Sequence, residues 1–591
     1  MMKAWIAAAL LAAVSTPAMA RVDYVIDLTK PDHHTGQVSI EFPAAGPTLD
    51  VKMPAWRTGR YTIMNLANGV SGFGATDASG RALKWEKIDK STWRIRTSGA
   101  GPVRVNYEIY GNELGSRSRH IDDSHAYLDA SAIFMHTDAT RGDDVSVSLK
   151  MPQGWKAYSG MASSAPARFT APNWDVLVDS PIEAGISQYR QFTADGKKYD
   201  LVVWGQGNYD IDKMAADLKT MVPKSQTIWQ GYPFDRYLFI VHATDNVGGA
   251  TEHKNSTVIQ MPRYRFTGDS YMGFLGTAAH EFIHTWNVKA YRNAAMVPYD
   301  YERENYTDLL WMEEGSTEYF TGPLLVRAGL LPTGKYLEEL ADTIDANKNR
   351  PGRLVQSAAG ASFDEWISNV DRNRSNNAWV NIYSEGSIAS WALDIALLQD
   401  TGGEVNYRDV HNELWKAYGN GAKGFTSADV RAILQRLTGH SWDAWWAKNI
   451  DSPADQDFAA LLAPVGLRLD MGSGPQVAMA GWQADEANGA MVLGGVTRDG
   501  AAWNAGMETG DVLVAIDGAR VSPARFRDML RERKAGETVT VSFFRRDQLM
   551  TRKMTLGSRP AGGVTVRPAD NATPAQKALF ARWLGVPYPA K

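Results

Sequence analysis

The ten residues "AAHEFIHTWN", Ala278 to Asn287, place two histidines four positions apart with a glutamate directly after the first. On a helix, residues four apart share a face, so His280 and His284 project side by side with Glu281 next to them. Two neutral imidazoles at that spacing can ligate one tetrahedral Zn²⁺, and the glutamate can receive a proton from water. Leu275, Ala278, Phe282 and Trp286 fall on the opposite side, so burying the helix does not compete with the histidines. The alternative is an ordinary helix that happens to hold two histidines. A third ligand separates the two readings, because a hydrolytic zinc keeps three protein ligands and one open position.

The next helical segment, "LLWMEEGSTEYF", offers three carboxylates. Glu314 and Glu318 are one turn apart on the face that also carries Leu310, so both can point inward, whereas Glu313 lies about 100° away and is expected in solvent. Glu314 is the expected third ligand. Glu318 is either a solvated surface charge or the group that holds a ligand histidine in place.

These residues must be positioned by packed cores alone, since the chain has no cysteine for disulfides or thiolate ligation. It opens with "MMKAWIAAALLAAVSTPAMA", in which a lysine, an apolar run and a small-residue ending predict an export signal over residues 1–20, cleaved before Arg21. The expected location is periplasmic or secreted. No later segment has the roughly 18 uninterrupted apolar residues of a membrane span. With 62 basic against 66 acidic residues and no basic block, nucleic acid is excluded as an expected partner.

About 570 mature residues suggest roughly three to four domains. From 21 to 190, period-two runs such as Val22, Tyr24, Ile26 and Val103, Val105, Tyr107, Ile109 predict an antiparallel β-sandwich-like domain. Residues 191–463 begin with two strand-like runs around Gly248-Gly249 and turn predominantly helical from Tyr271. Short strands and turns return over 464–560, and a tail over 561–591 carries a short helix with Thr573 as N-cap and Pro574 at its first position. The expected fold class is multidomain α+β.

Residues 464–560 resemble a PDZ domain of bacterial protease type, most clearly in "AGMETGDVLVAIDGARV", where Gly510-Asp511 and Asp517-Gly518 make successive turns. "HEFIHTWN" followed by "WMEEGSTEYF" resembles the gluzincin metallopeptidases, the clan of thermolysin and aminopeptidase N. That resemblance implies a thermolysin-like catalytic domain with His280, His284 and Glu314 on one zinc per chain and Glu281 as base. Glu318 and Asn287 would hold the ligands in place.

The whole mature chain resembles the glycyl aminopeptidase family through "MPAWRTGRY", "GGATEH", "HEFIHTWN", "VPYDY" and "IYSEGS", which follow one another in the expected order. The first departs from the common form by Thr58 in place of proline, in a loop remote in sequence from the metal residues and expected to leave them unaffected. The resemblance implies that Tyr383 of "IYSEGS" donates to the oxyanion and that Glu252 of "GGATEH" holds the substrate's α-ammonium. Gly249 would admit the substrate backbone, and His253 would either orient Glu252 or contact substrate. The implied activity is removal of N-terminal glycine, and less well alanine, from peptides. A periplasmic endopeptidase that captures substrate C-termini with its PDZ domain is the alternative, and a PDZ binding protein with a structural metal is a third reading that the intact Glu281 opposes.

Overall fold

A computed structural model describes residues 21–97, 99–368 and 376–589. The expected export signal lies outside the described residues. The chain divides into two compact units. One comprises residues up to Pro54 together with Asn65–Ile186, and the other comprises Ala55–Met64 together with Ser187 onward.

The first unit is built on the period-two runs. Val22, Tyr24 and Ile26, with Val38, Ile40 and Phe42 and with Val103, Val105, Tyr107 and Ile109 of Gly101–Tyr110, are all buried, each separated from the next in its strand by a more exposed neighbour. They form part of a seven-stranded sheet. The sheet is mixed, which corrects the antiparallel expectation: Val22–Asp27 pairs antiparallel with Thr35–Ala44 but parallel with Val145–Lys150. The two parallel strands lie far apart in sequence, so no hairpin dictates their direction. A five-stranded sheet and a three-stranded sheet complete the unit.

The second unit opens with a five-stranded sheet whose inner strands Lys197–Trp204, Arg236–Thr244 and Ser256–Pro262 run parallel. Gly249–His253 is an edge strand, antiparallel to Ser256–Pro262. Helices follow, among them Tyr271–Ile283, Leu310–Arg327 and Ile382–Asp400. The last two cross at glycines. A Cβ on Gly315 would stand 2.3 Å from the Gly386 backbone, and one on Gly386 would stand 2.3 Å from the Trp311 carbonyl oxygen. Only glycine allows the two backbones to touch in this way.

Residues 482–555 form a separate sheet with the helix Pro523–Arg531 and a core of Leu493, Ile516, Val541 and Phe543. On either side of it, Leu467–Asp470 and Thr565–Pro568 pair antiparallel. The terminal helix, Pro574–Leu584, has the expected Thr573 cap, closed into a capping box by Gln576. It is no loose tail. Phe580, Trp583 and Leu584 are buried in the same apolar core as Phe282 and Leu324, and the Trp583 indole donates to the Tyr319 hydroxyl at 2.7 Å. Among the described residues, no helix is long and apolar enough to cross a membrane.

Candidate active site

The helix Tyr271–Ile283 buries Leu275, Ala278 and Phe282, with Trp286 just beyond it, and turns its two histidines the other way. The Nε2 atoms of His280 and His284 lie 3.1 Å apart. Glu314 enters from Leu310–Arg327, its Oε2 at 3.2 Å from His284 Nε2 and 3.8 Å from His280 Nε2. Each imidazole is held by its other nitrogen. His280 Nδ1 bonds Glu318 Oε2 at 3.1 Å, and His284 Nδ1 bonds the Asn287 carbonyl at 3.0 Å. With Nδ1 as donor in both rings, both Nε2 lone pairs face Glu314, the arrangement in which imidazoles bind metals.

Asn287 does more through its side chain. Its Nδ2 donates to the Glu313 carbonyl at 2.8 Å and the Met312 carbonyl at 3.1 Å, tying the end of the histidine helix to the first turn of the Glu314 helix. Glu313 itself corrects the sequence expectation. It is fully buried, not solvated, and its carboxylate accepts from the Asn293 backbone at 2.8 Å and the Asn293 side chain at 2.9 Å. Leu310 to Thr317 are all buried, so this helix has no solvent face there for a charge to occupy.

The electrostatics favour a cation. Burial works against ionising Glu314, but the two imidazoles outweigh it and hold the carboxyl far below its usual range. Burial likewise opposes charge on His280 and His284, and the carboxylates beside them raise both. Glu281 is pushed up to about 7, chiefly by burial. Its Oε2 is buried without a hydrogen-bond partner among the described residues. Two imidazole nitrogens, one carboxylate oxygen and an adjacent unsatisfied glutamate oxygen fit a zinc ion with an open position.

Tyr383 lies in the first turn of Ile382–Asp400, a helix capped by Asn381, and its ring stands 6.1 Å from that of His280. Burial raises its hydroxyl pKa well above normal, so it remains a proton donor. It shares a cavity of about 630 Å³ with Gly249, Ala250, His280 and Glu281. Glu252 and His253 are buried further along the same edge strand, 5% and 1% exposed.

The segment "MPAWRTGRY" is remote from the metal residues in sequence only. Ala55–Met64 belongs to the second unit, and the Tyr61 hydroxyl donates to Glu314 Oε1 at 2.5 Å. Gly59 has φ +73°, and a Cβ there would stand 2.4 Å from Glu252 Oε2. Thr58 Oγ1 accepts from Lys289 Nζ at 3.2 Å, and that ammonium lies 3.9 Å from Glu252 Oε1. The segment is anchored by "VPYDY": Ala55 N donates to the Tyr301 carbonyl, and the Trp56 indole donates to the Asp300 carbonyl at 2.7 Å. Reasoning from sequence missed Tyr61. Its only signal was membership of a motif whose place in the fold was unknown.

The chain is similar over 96% of its length, at 25% identity and a TM-score of 0.88, to the whole of an aminopeptidase N family protein from Idiomarina loihiensis of known structure. A variant of an M1 zinc metallopeptidase from Deinococcus radiodurans aligns over 74% of this chain and 95% of its own, at 11% identity and a TM-score of 0.48. No curated protein sequence matches. Residues 23–186 match the peptidase M61 N-terminal domain, and residues 273–389, which hold His280, His284, Glu314 and Tyr383, match the M61 glycyl aminopeptidase domain. By these two matches, in order along the chain, the protein carries the N-terminal and glycyl aminopeptidase domains of peptidase M61.

Proposed function

We propose that the protein is a zinc aminopeptidase that removes N-terminal glycine, and less well alanine, from peptides. The observation that carries this is the convergence of His280, His284 and Glu314 donor atoms beside a buried, unpartnered Glu281 oxygen. Zinc bound by His280, His284 and Glu314 would polarise the scissile carbonyl and acidify water. Glu281 takes the water proton and passes it to the leaving amine, a role suited by a carboxyl pKa near neutrality. Tyr383 donates to the developing oxyanion.

Glu252 anchors the substrate's α-ammonium. Its carboxylate is near enough to influence His284, Glu281 and Tyr383 electrostatically. Gly59 lies against that carboxylate while Tyr61 reaches Glu314, so the 55–64 loop touches both Glu252 and Glu314 at this end of the site. We read residues 464–560 as a PDZ domain that can take peptide C-termini, and residues 1–20 as the export signal of a periplasmic enzyme.

The test is hydrolysis of free and N-acetylated Gly-, Ala- and Leu-peptides with and without a chelator. Gly-peptides should exceed Ala and Leu in kcat/KM, acetylation should abolish cleavage, and chelation should stop it. Glu252→Ala should raise KM and lower kcat/KM for free peptides with zinc retained. Cleavage of acetylated peptides as fast as free ones would replace this reading with the endopeptidase one.

A further inference from the structure

The first unit carries a second set of metal-donor side chains. Arg119–Ile121 and His125–Leu128 form an antiparallel hairpin with His120 opposite Tyr127 and Ile121 opposite Ala126. Its turn closes through Asp122 N, which donates to the His125 carbonyl at 2.9 Å. Alternate residues and their cross-strand partners share a face of such a pair, so His120, Asp122 and His125 stand together. The neighbouring strand Ile182–Gly185 sets Glu183 opposite Tyr127, on that same face.

The distances match this placement. His120 Nδ1 lies 2.8 Å from His125 Nε2 and 3.8 Å from Asp122 Oδ2, and the three donors are all within 4.8 Å of one another. The two oxygens of Asp122 divide their work. Oδ1 accepts from Ser124 N, Ser124 Oγ and His125 N, which fixes the carboxylate on the turn, while Oδ2 is the oxygen nearer His120. Behind His125, the fully buried Glu183 takes the Nδ1 side of the ring at 2.9 Å. With Nδ1 donating to Glu183, Nε2 is the lone-pair nitrogen of His125, on the side of the ring where His120 lies, just as Nδ1 of His280 donates to Glu318.

We infer that His120, Asp122 and His125 bind a divalent cation of the zinc class, with Glu183 as the positioning carboxylate. Two imidazole nitrogens with one carboxylate oxygen suit zinc and its neighbours, whereas calcium and magnesium take all-oxygen sites. The ion would clamp the two strands and the turn of the hairpin, and it would be additional to the one in the proposed active site. The side chains of His120 and Asp122 are 11% and 26% exposed, which leaves the ion a route from solvent.

The experiment uses the full chain carrying His284→Ala, which lacks a ligand of the proposed active site. Titrated with Zn²⁺ against a chromophoric chelator, it should still bind one ion per chain. Adding His120→Ala should abolish that binding, and adding Glu183→Gln should weaken it by about 10–100-fold. Zn²⁺ should raise the Tm of the His284→Ala protein but not of the double variant, so a folded but unresponsive protein is distinguished from an unfolded one. In the otherwise native chain, His120→Asn should lower bound zinc from two to one per chain with peptide turnover unchanged. Loss of all zinc on His284→Ala, or equal binding with and without His120→Ala, would overturn the inference and leave the two histidines as a hydrogen-bonded pair only. Should one ion be lost with His120 and none with His284, this site would stand and the active-site reading would fall.

Discussion

The hydroxyl of Tyr61 donates a 2.5 Å hydrogen bond to Oε1 of Glu314, a residue 253 positions away. The bond fixes the rotation of the carboxylate while its other oxygen faces the two imidazoles. Tyr61→Phe removes the donor and keeps the ring, which packs edge-on to Trp366 at 6.0 Å. Zinc affinity should fall by about 10–100-fold, read by competition with a chelator. Unchanged affinity would show that the carboxylate holds its orientation without Tyr61.

Glu281→Gln should retain zinc and lose nearly all turnover, because it removes the base and leaves the three donors in place. His284→Ala should lose the active-site ion together with activity. Elemental analysis beside a rate measurement separates the two variants, and full zinc occupancy of that site in His284→Ala would refute the ligand assignment.

Tyr383→Phe should lower kcat by about 10²–10³-fold with little change in KM, the loss typical of one donor to a developing oxyanion. A loss shared equally by substrate binding would instead make Tyr383 part of the cavity wall.

The paired strands Leu467–Asp470 and Thr565–Pro568 form a stem below the small sheet. Replacing residues 473–563 with a short Gly-Ser turn should leave the main core intact and keep small-peptide turnover. It forfeits the two bonds of Asn377 to the small sheet region, to the Val496 carbonyl and the Arg498 N–H, both 2.7 Å. Truncation after Pro464 should fare far worse, since it strips Phe580 and Trp583 from the core, where cutting back one such buried aromatic costs about 3–5 kcal/mol. Comparing the Tm values of the two shortened chains tests this.

His411 is fully buried, its Nδ1 partnered by the Tyr291 hydroxyl at 2.7 Å, and burial pushes its pKa down to about 3. Its stabilising contribution is complete above the unfolded pKa of about 6.5 and is lost as pH falls toward the folded value, because only the unfolded chain takes up the proton. The slope is about 1.4 kcal/mol per pH unit at most. His411→Gln should flatten the dependence of Tm on pH between about 6 and about 4 relative to the native chain, and an unchanged slope would place the acid sensitivity elsewhere.

How much could be read before folding depends on the range of the interactions involved. Helical periodicity is local, so the shared face of His280 and His284, the side taken by Phe282 and Trp286, and the one-turn spacing of Glu314 and Glu318 were all legible from their positions in the chain. Period-two alternation likewise identified the buried residues of the first unit, although strand direction depended on partners distant in sequence. Glu313 was misread because a helical wheel presumes a solvent face, and the packing around Leu310–Thr317 removed it; Asn293, from another segment, then had to satisfy the buried carboxylate. The spacing of "HIDDSH" was present in the sequence, but only the hairpin register and Glu183 from a third strand make it a donor set. Tyr61 on Glu314, Gly59 on Glu252 and Gly315 against Gly386 came from tertiary structure alone, because each joins segments whose separation leaves no periodic trace and whose contact exists only once the backbones have closed on one another.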